Sequence, residues 1–444
     1  TRCFPTAAHW LVSQPFGFSL WGGSYGGLAA ALNLHDLARG RVARFDSNPE
    51  AKVPAYKVPI QMTIVDERDG YYHLIGSPKS LACEKFAAES WTRFQDIPAL
   101  KSPYINFIQG TVSTINPAEK VAHILDTATK ANRIEQYDYL IAASGLRRVF
   151  PTVPQSLRRV EFLQEAQRQS KAVTNAREGI AVVGGGAVGV EMAAELKILH
   201  PQKKITLIHS RDRLLSSEPL PNEFAERVLT VLREVGVETI LGQRVIDTTA
   251  VDTETEQRMW RLTLSDGRQL IAGHVLSAIS QSIPTSTYLP SEALDEDGYI
   301  KIRPSLQFAG DVPNADDHFA VGDIASWTGI KRCGGAMHMG QYAANNIHQR
   351  ILSKRDGIHP AYQELSPFPS LMGLALGHKA VTYTPTDGTK DGEELLAQMF
   401  GDDMAKSSTY TTLRVQKRGA TNLQFSMLEL YAPERSMPDM MQLE

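Results

Sequence analysis

Residues 179–199 read GIAVVGGGAVGVEMAAELKIL, and this stretch decides the fold. It opens on an apolar run of strand type, passes through Gly184, Gly186 and Gly189 in G-x-G-x-x-G register, and continues as an Ala/Leu-rich helix. Each glycine has its own reason. The first permits the tight turn, the second lets backbone approach a pyrophosphate, and the third lets helix and strand pack closely. The helix N-terminus then presents unpaired N–H groups to the phosphates. The next strand, KITLIHSRDRLL at 204–215, ends without the acid that binds a ribose 2′-OH in NADH-selective sites. His209 stands there, followed by Ser210, Arg211 and Arg213. Arginine is a planar donor suited to phosphate. Arg211 is therefore assigned to the nucleotide, and use of both NADPH and NADH is expected, with NADPH preferred. The alternative is that Arg211 and Arg213 are solvated surface charges, offset by Asp212 between them.

The same design occurs earlier in the chain. WGGSYGGLAA at 21–30 places Gly22, Ser24 and Gly27 in the same register, and residues 27–38 continue as a helix. Ser24 replaces the middle glycine. Its side chain is small enough for phosphate to approach, and its hydroxyl can donate. IQMTIVDERDG at 60–70 is the next strand, and Asp66 at its end can accept hydrogen bonds from ribose hydroxyls. The separation of Gly27 from Asp66 exceeds the usual spacing of about 20 residues. A charged, proline-containing loop insertion at 40–58 accounts for the excess.

Two junctions complete the pattern. YDYLIAASG at 137–145 closes a buried strand on the turn Ala143-Ser144-Gly145, where the chain crosses between domains. HFAVGD at 318–323 ends another apolar strand on Gly322-Asp323. The Asp323 carboxylate can accept hydrogen bonds from sugar-like hydroxyls, and the helix that follows brings its positive end to the same place. The fold class expected is α/β, with two Rossmann-like dinucleotide-binding domains. The first is discontinuous and comprises 1–150 and 277–365. The second comprises 151–276. Residues 366–444 are expected to be a short C-terminal segment, with a hairpin within 366–385 and an irregular tail.

Composition narrows the function. The chain has 444 residues, with 46 Lys plus Arg against 49 Asp plus Glu. That balance gives no basic footprint for nucleic acid. Its three cysteines, Cys3, Cys83 and Cys333, form no CxxC or CxxxxC pair. A disulfide framework, a cysteine-based zinc site and disulfide-reductase chemistry are therefore rejected. A reducing compartment and a cytoplasmic location are expected. No apolar run is long enough for a transmembrane helix, which is compatible with mitochondrial or peripheral membrane association. The chain begins at Thr1 rather than Met, which leaves an upstream targeting signal open. No metal site is expected, and His9 and His338 read as ordinary histidines.

GGSYGGLAA, VDERDGYYH, VVGGGAVGVEMAAEL, TLIHSRDRLL and FAVGDIASW together resemble the pyridine nucleotide-disulfide reductase superfamily. Within it they are similar to the apoptosis-inducing-factor-like branch, especially its fungal members. That branch includes the ferroptosis-suppressor-type quinone reductases. The resemblance covers about residues 17–380. It implies FAD as cofactor, held through its adenosine half by Gly22, Ser24, Gly27 and Asp66. It implies that the backbone of Val112 meets the adenine, and that Asp323 meets the ribityl chain or pyrophosphate. Glu191 matches a carboxylate near the nicotinamide, and Lys79 in GSPKSLA matches a flavin-facing lysine. Two segments depart from the pattern. The first strand, GFSLW, lacks the usual Val/Ile run, and the last part of the chain matches nothing.

The activity expected is hydride transfer from NAD(P)H to FAD, then electron transfer to a quinone-like or other small acceptor. The protein supplies geometry and electrostatics, while the cofactors carry the chemistry. Two alternatives stand beside it. One is a tailoring oxidoreductase of a fungal secondary-metabolite pathway, and the other is a non-catalytic redox-sensing flavoprotein.

Overall fold

The computed structural model describes residues 15–44, 57–251, 258–279, 281–407 and 409. Cys3, His9, most of the 40–58 insertion and the tail beyond 409 lie outside the described residues. The chain enters through β1 (Phe16–Trp21), which pairs in parallel with β2 (Ile60–Asp66) on one side and Tyr139–Ala142 on the other. These three lie inside a seven-stranded sheet. Its order is 318–320, 139–142, β1, β2, 105–116, 121–126, 132–136. A parallel strand covered on both faces needs bulk on both. GFSLW supplies it with aromatics: Phe18 stacks on Tyr139 at 5.3 Å, and Trp21 meets Tyr288 edge-on at 5.1 Å. The departure from a Val/Ile strand is thus a change of packing and leaves the pairing intact.

Helix α1 (Tyr25–Ala38) is buried along its whole length, which explains its lack of a polar face. After β2 come the short α2 (Ser77–Ala82) and α3 (Glu84–Glu89). Helix α4 (Arg159–Asn175) then leads to the second sheet. There Ile180–Val183 pairs in parallel with Ile205–Ile208 and with His274–Ser277, and Ile205–Ile208 pairs with Glu238–Ile240. Helices α5 (Ala187–Leu199) and α6 (Asn222–Glu234) follow its strands. The Asp266-Gly267 turn signal is realised in the antiparallel pair Met259–Leu264 and Gln269–Ala272, with Gly267 at φ +85°.

Helix α7 (Cys333–Asp356) returns to the first sheet and lies on α1. The approach is close: a Cβ on Gly340 would stand 2.5 Å from the Gly26 carbonyl oxygen. The C-terminal segment holds more structure than its sequence suggested. The expected hairpin is present as Met372–Leu376 and Lys379–Thr384. A third strand, Gly388–Gly392, and α8 (Glu393–Met399) follow it. These two elements precede the stretch from about 400 that the sequence marked as an irregular tail, most of which lies outside the described residues. Leu374, Leu376 and Val381 of this small sheet share a core with Val190 and Leu196 of α5. Arg227 of α6 clasps Asp391 through two hydrogen bonds of 2.7 Å.

Candidate active site

The two glycine-rich turns are built alike, atom for atom. The Gly22 N–H donates to the Val65 carbonyl at 2.9 Å, and the Gly184 N–H donates to the Ile208 carbonyl at 2.9 Å. Both glycines have positive φ, +109° and +121°. Behind each, the chain leaving another strand closes in. The Ala143 N–H reaches the Trp21 carbonyl and the Ala278 N–H reaches the Val183 carbonyl, both at 2.8 Å. The third glycine is sterically required in both turns. A Cβ on Gly27 would lie 1.7 Å from the Gly22 oxygen, and one on Gly189 would lie 1.9 Å from the Gly184 oxygen. Gly186 differs, because a Cβ there would meet nothing within 4 Å. Ser24, its counterpart, makes no cap hydrogen bond to α1. Both middle positions thus face space that a phosphate can use.

Both turns open into one cavity of ≈ 500 Å³. Its wall takes Gly23 to Gly26 from the first turn and Gly186 to Val188 from the second. Asp66, Gly145, Glu191, Gly322 and Asp323 also line it, together with Cys333 and Gly334 at the start of α7. The Asp66 carboxylate accepts the Gly23 N–H at 2.6 Å and the Arg68 N–H at 2.8 Å. Burial raises its pKa, and Arg68 works against that rise. Asp323 faces the Arg148 guanidinium at 3.4 Å. Gly145, at φ +70°, turns the chain and accepts the Thr285 hydroxyl at 2.8 Å. Burial pushes the Cys333 thiol up to about 12, so it stays a thiol.

Glu191 lies on α5 one turn past its start, and only 9% of it is exposed. Its Oε1 accepts the Ala375 N–H of the C-terminal sheet at 2.9 Å. Burial pushes its pKa up to about 8, the Ala375 N–H opposes the rise, and Glu195 one helical turn away adds to it. At neutral pH the group is therefore largely a neutral acid at the edge of the second turn.

The remaining expected residues are placed elsewhere. Lys79 does not face the cavity. Its Nζ donates to the Asp402 carbonyl at 2.6 Å and stands over the Phe86 ring at 5.3 Å. On the short α2 it is Ser77 and Pro78 that face the wall, which leaves Lys79 pointing at the C-terminal segment. Val112 pairs with Ile124 across its hairpin and is absent from the cavity wall. Arg213 donates through one guanidinium nitrogen to the carbonyls of Leu220 and Pro221, so it braces its own loop. Arg211 is exposed, and its guanidinium makes no hydrogen bond or ion pair among the described residues. Among the wall residues that escaped sequence reasoning are Tyr25, Arg68, Arg148 and Cys333. Arg68 carries a buried Nε without a hydrogen-bond partner. Its place two residues after Asp66 was the one local signal available.

Comparison with known proteins follows this geometry. The model of the pyridine nucleotide-disulphide oxidoreductase family matches residues 21–340. Oxidoreductase OXR1 of Ajellomyces capsulatus is 49% identical over 399 residues, covering 88% of this chain and 86% of that protein. Ferroptosis suppressor protein 1 of Xenopus tropicalis is 28% identical, covering 75% and 80%. Among solved structures, NDH2 of Plasmodium falciparum in complex with NADH covers 90% of this chain and 97% of its own, with TM-score 0.63 at 13% identity. The NADH-bound water-forming NADH oxidase of Lactobacillus brevis covers 83% and 74%, with TM-score 0.58 at 17% identity. These structures share the fold. Despite the family's name, the two described cysteines, Cys83 and Cys333, are free thiols. The extent of the family match and the fungal relative together make this chain an oxidoreductase of the pyridine nucleotide-disulphide family, in its apoptosis-inducing-factor-like branch.

Proposed function

We propose that the first turn holds FAD, that the second holds NADPH or NADH, and that electrons leave to a small quinone-like acceptor. The observation that carries this is the single cavity into which both turns open. The residues present fit FAD. Ser24 and the N-terminus of α1 suit its pyrophosphate, Asp66 suits its ribose, and the buried Arg68 Nε lacks a partner. Asp323 and the start of α7 suit the ribityl chain and the electron-rich edge of the ring. When bound, FAD would supply the hydride-accepting and electron-donating chemistry. Gly184, Gly186 and Gly189 would seat the nicotinamide nucleotide's pyrophosphate, and Arg211 its 2′-phosphate. Glu191 would place a neutral acid beside the nicotinamide. Residues 1–150 with 277–365 would form the FAD unit and 151–276 the nicotinamide unit. The carry-over of quinone as acceptor rests on the ferroptosis-suppressor relatives.

The test is spectroscopic. Purified protein should show flavin absorbance, bleach anaerobically with NADPH and NADH, and turn over repeatedly with a soluble quinone. Absence of flavin bands after reconstitution with FAD would overturn the reading. Bleaching without repeated turnover would favour a redox-sensing flavoprotein instead. Asp323→Ala should weaken FAD retention, read as a higher dissociation constant for the flavin.

A further inference from the structure

Lys79 and His73 share a task that the reading above leaves unused. His73 is fully buried and lies outside the cavity wall. A carbonyl oxygen can only accept, so the 2.9 Å contact between Nε2 and the Met404 carbonyl places the proton on Nε2. Nδ1 is then an acceptor, and the hydroxyls of Tyr25 and Tyr71 each stand 3.3 Å from it. Burial holds the His73 pKa down to about 4, so this pattern persists across the neutral range. Tyr25 lines the cavity from the first turn, and Met399 and Phe400 line it from the C-terminal side. One imidazole therefore ties together two walls of the same chamber.

The segment after Phe400 is held against its own backbone preference. Met404 and Ala405 adopt φ +55° and +62°, which L side chains rarely do. Phe400, Met404 and Ala405 bury themselves with Phe86, Ala375 and Ala380. Two side chains of the first domain grip the segment's carbonyls: Lys79 at Asp402 and His73 at Met404. The part of the cavity wall nearest the segment is apolar, with Leu74, Ile75, Pro78 and Leu374. The second turn, by contrast, offers its open side at Gly186.

We propose that residues 399–405 form a strap over the apolar side of the chamber, that His73 and Lys79 are positioning residues which pin it, and that the electron acceptor enters by displacing it. The nucleotide enters separately, over Gly186. The proposal rests on the acceptor reading above.

Lys79→Met tests it in the FAD-loaded enzyme. The substitution keeps an apolar stem over Phe86 and removes the donor, together with a positive charge near the buried Glu195 that Lys79→Arg retains. Amide exchange in 399–407 should quicken by about fivefold. Turnover efficiency, kcat/KM, should rise by about threefold for a long-tailed quinone and stay level for a tail-less one. Anaerobic flavin reduction by NADPH should be unchanged, and Lys79→Arg should restore the wild-type pattern. Unchanged exchange would overturn the pins. Faster exchange with level efficiency for both quinones would overturn the entry route. If the wild type reduces no quinone, the acceptor reading fails and the entry route with it, while the exchange experiment still decides the pins.

Discussion

At the first glycine-rich turn, the loop N–H of Gly23 is taken by the carboxylate of Asp66 at 2.6 Å. At the second, the loop N–H of Gly185 is taken by Nδ1 of His209 at 3.1 Å. The strand-end hydrogen bonds and the clash that excludes a side chain at the third glycine are equivalent. The acceptor differs. A backbone N–H can only donate, so Nδ1 of His209 must carry a lone pair and Nε2 the proton, facing the Ser216 hydroxyl at 3.2 Å. Burial also holds the His209 pKa below its ordinary value. The second turn thus keeps the loop-shaping hydrogen bond of the first and drops its negative charge. A ribose hydroxyl gains from a carboxylate, whereas a 2′-phosphate is repelled by one.

The shared geometry can be broken most violently at the third glycine. Gly27→Val and Gly189→Val each force atoms into a carbonyl oxygen already under 2 Å from the first added carbon. Each should cost about 3 kcal/mol or more. Gly27→Val should abolish flavin content. Gly189→Val should lower Tm while any surviving protein keeps flavin but resists NADPH. Gly186→Val, into open space, should leave Tm unchanged and block flavin reduction by both nucleotides. A Gly189→Val protein as stable as wild type would refute the equivalence of the two turns.

Much of this was legible in the chain because turn chemistry is local. Gly184, Gly186 and Gly189 follow their strand directly, and Asp266-Gly267 marks its hairpin within four residues of paired strand. The first turn was harder to read because the 40–58 insertion separates Gly27 from Asp66, Ser24 replaces the middle glycine and GFSLW lacks a Val/Ile run. What escaped was non-local. His73 meets Met404 across 331 residues, and no periodicity records that. GTKDG forms a strand although it has no apolar alternation, because its neighbour Lys379–Thr384 and the Arg227 clasp at Asp391 hold it. Lys79 was misplaced for a related reason. Its position along the motif was matched, but the direction of its side chain depends on a C-terminal segment that the motif does not contain.

Glu191 sharpens the contrast through pH, since α5 carries a buried acid where the matching position of α1 is Ala29. Its folded pKa, about 8, lies above the ordinary 4.5. The sign follows. Stability from keeping it neutral is full below pH 4.5 and is lost as pH rises to about 8. Glu191→Gln cannot ionise, so its Tm relative to wild type should climb between pH 5 and about 8 and then level off. Where turnover needs the neutral acid, the wild-type rate should fall along an alkaline limb near about 8, and the variant should lose that limb. A limb that persists in Glu191→Gln belongs to another group.

The acceptor difference itself is tested by an isosteric pair. Asn and Asp at position 209 can both accept the Gly185 N–H, and they differ by one charge. His209→Asp should lower affinity for NADP⁺ relative to NAD⁺ by about tenfold or more. His209→Asn should hold the wild-type ratio. Calorimetric dissociation constants of the two oxidised nucleotides decide the matter, and equal ratios in Asn and Asp would remove charge as the explanation.

The smallest effect belongs to Arg211, which stands two residues after His209 as Arg68 stands two residues after Asp66, but is exposed. It is exposed, and an exposed charge pair is ordinarily worth about 0–1 kcal/mol. Pairing with a phosphate dianion is stronger and bidentate, but water screens it here. The two considerations meet at roughly 1 kcal/mol, so Arg211→Ala should lower kcat/KM for NADPH by about fivefold and leave NADH untouched. The loss should shrink as salt is raised, since the screening length falls below about 8 Å above physiological ionic strength. Arg213, engaged by the Leu220 and Pro221 carbonyls, should behave differently: its removal should loosen the loop and weaken both nucleotides equally. A wild-type preference for NADH, or an unchanged NADPH to NADH ratio in Arg211→Ala, would refute 2′-phosphate recognition by this residue and leave the two-turn architecture standing.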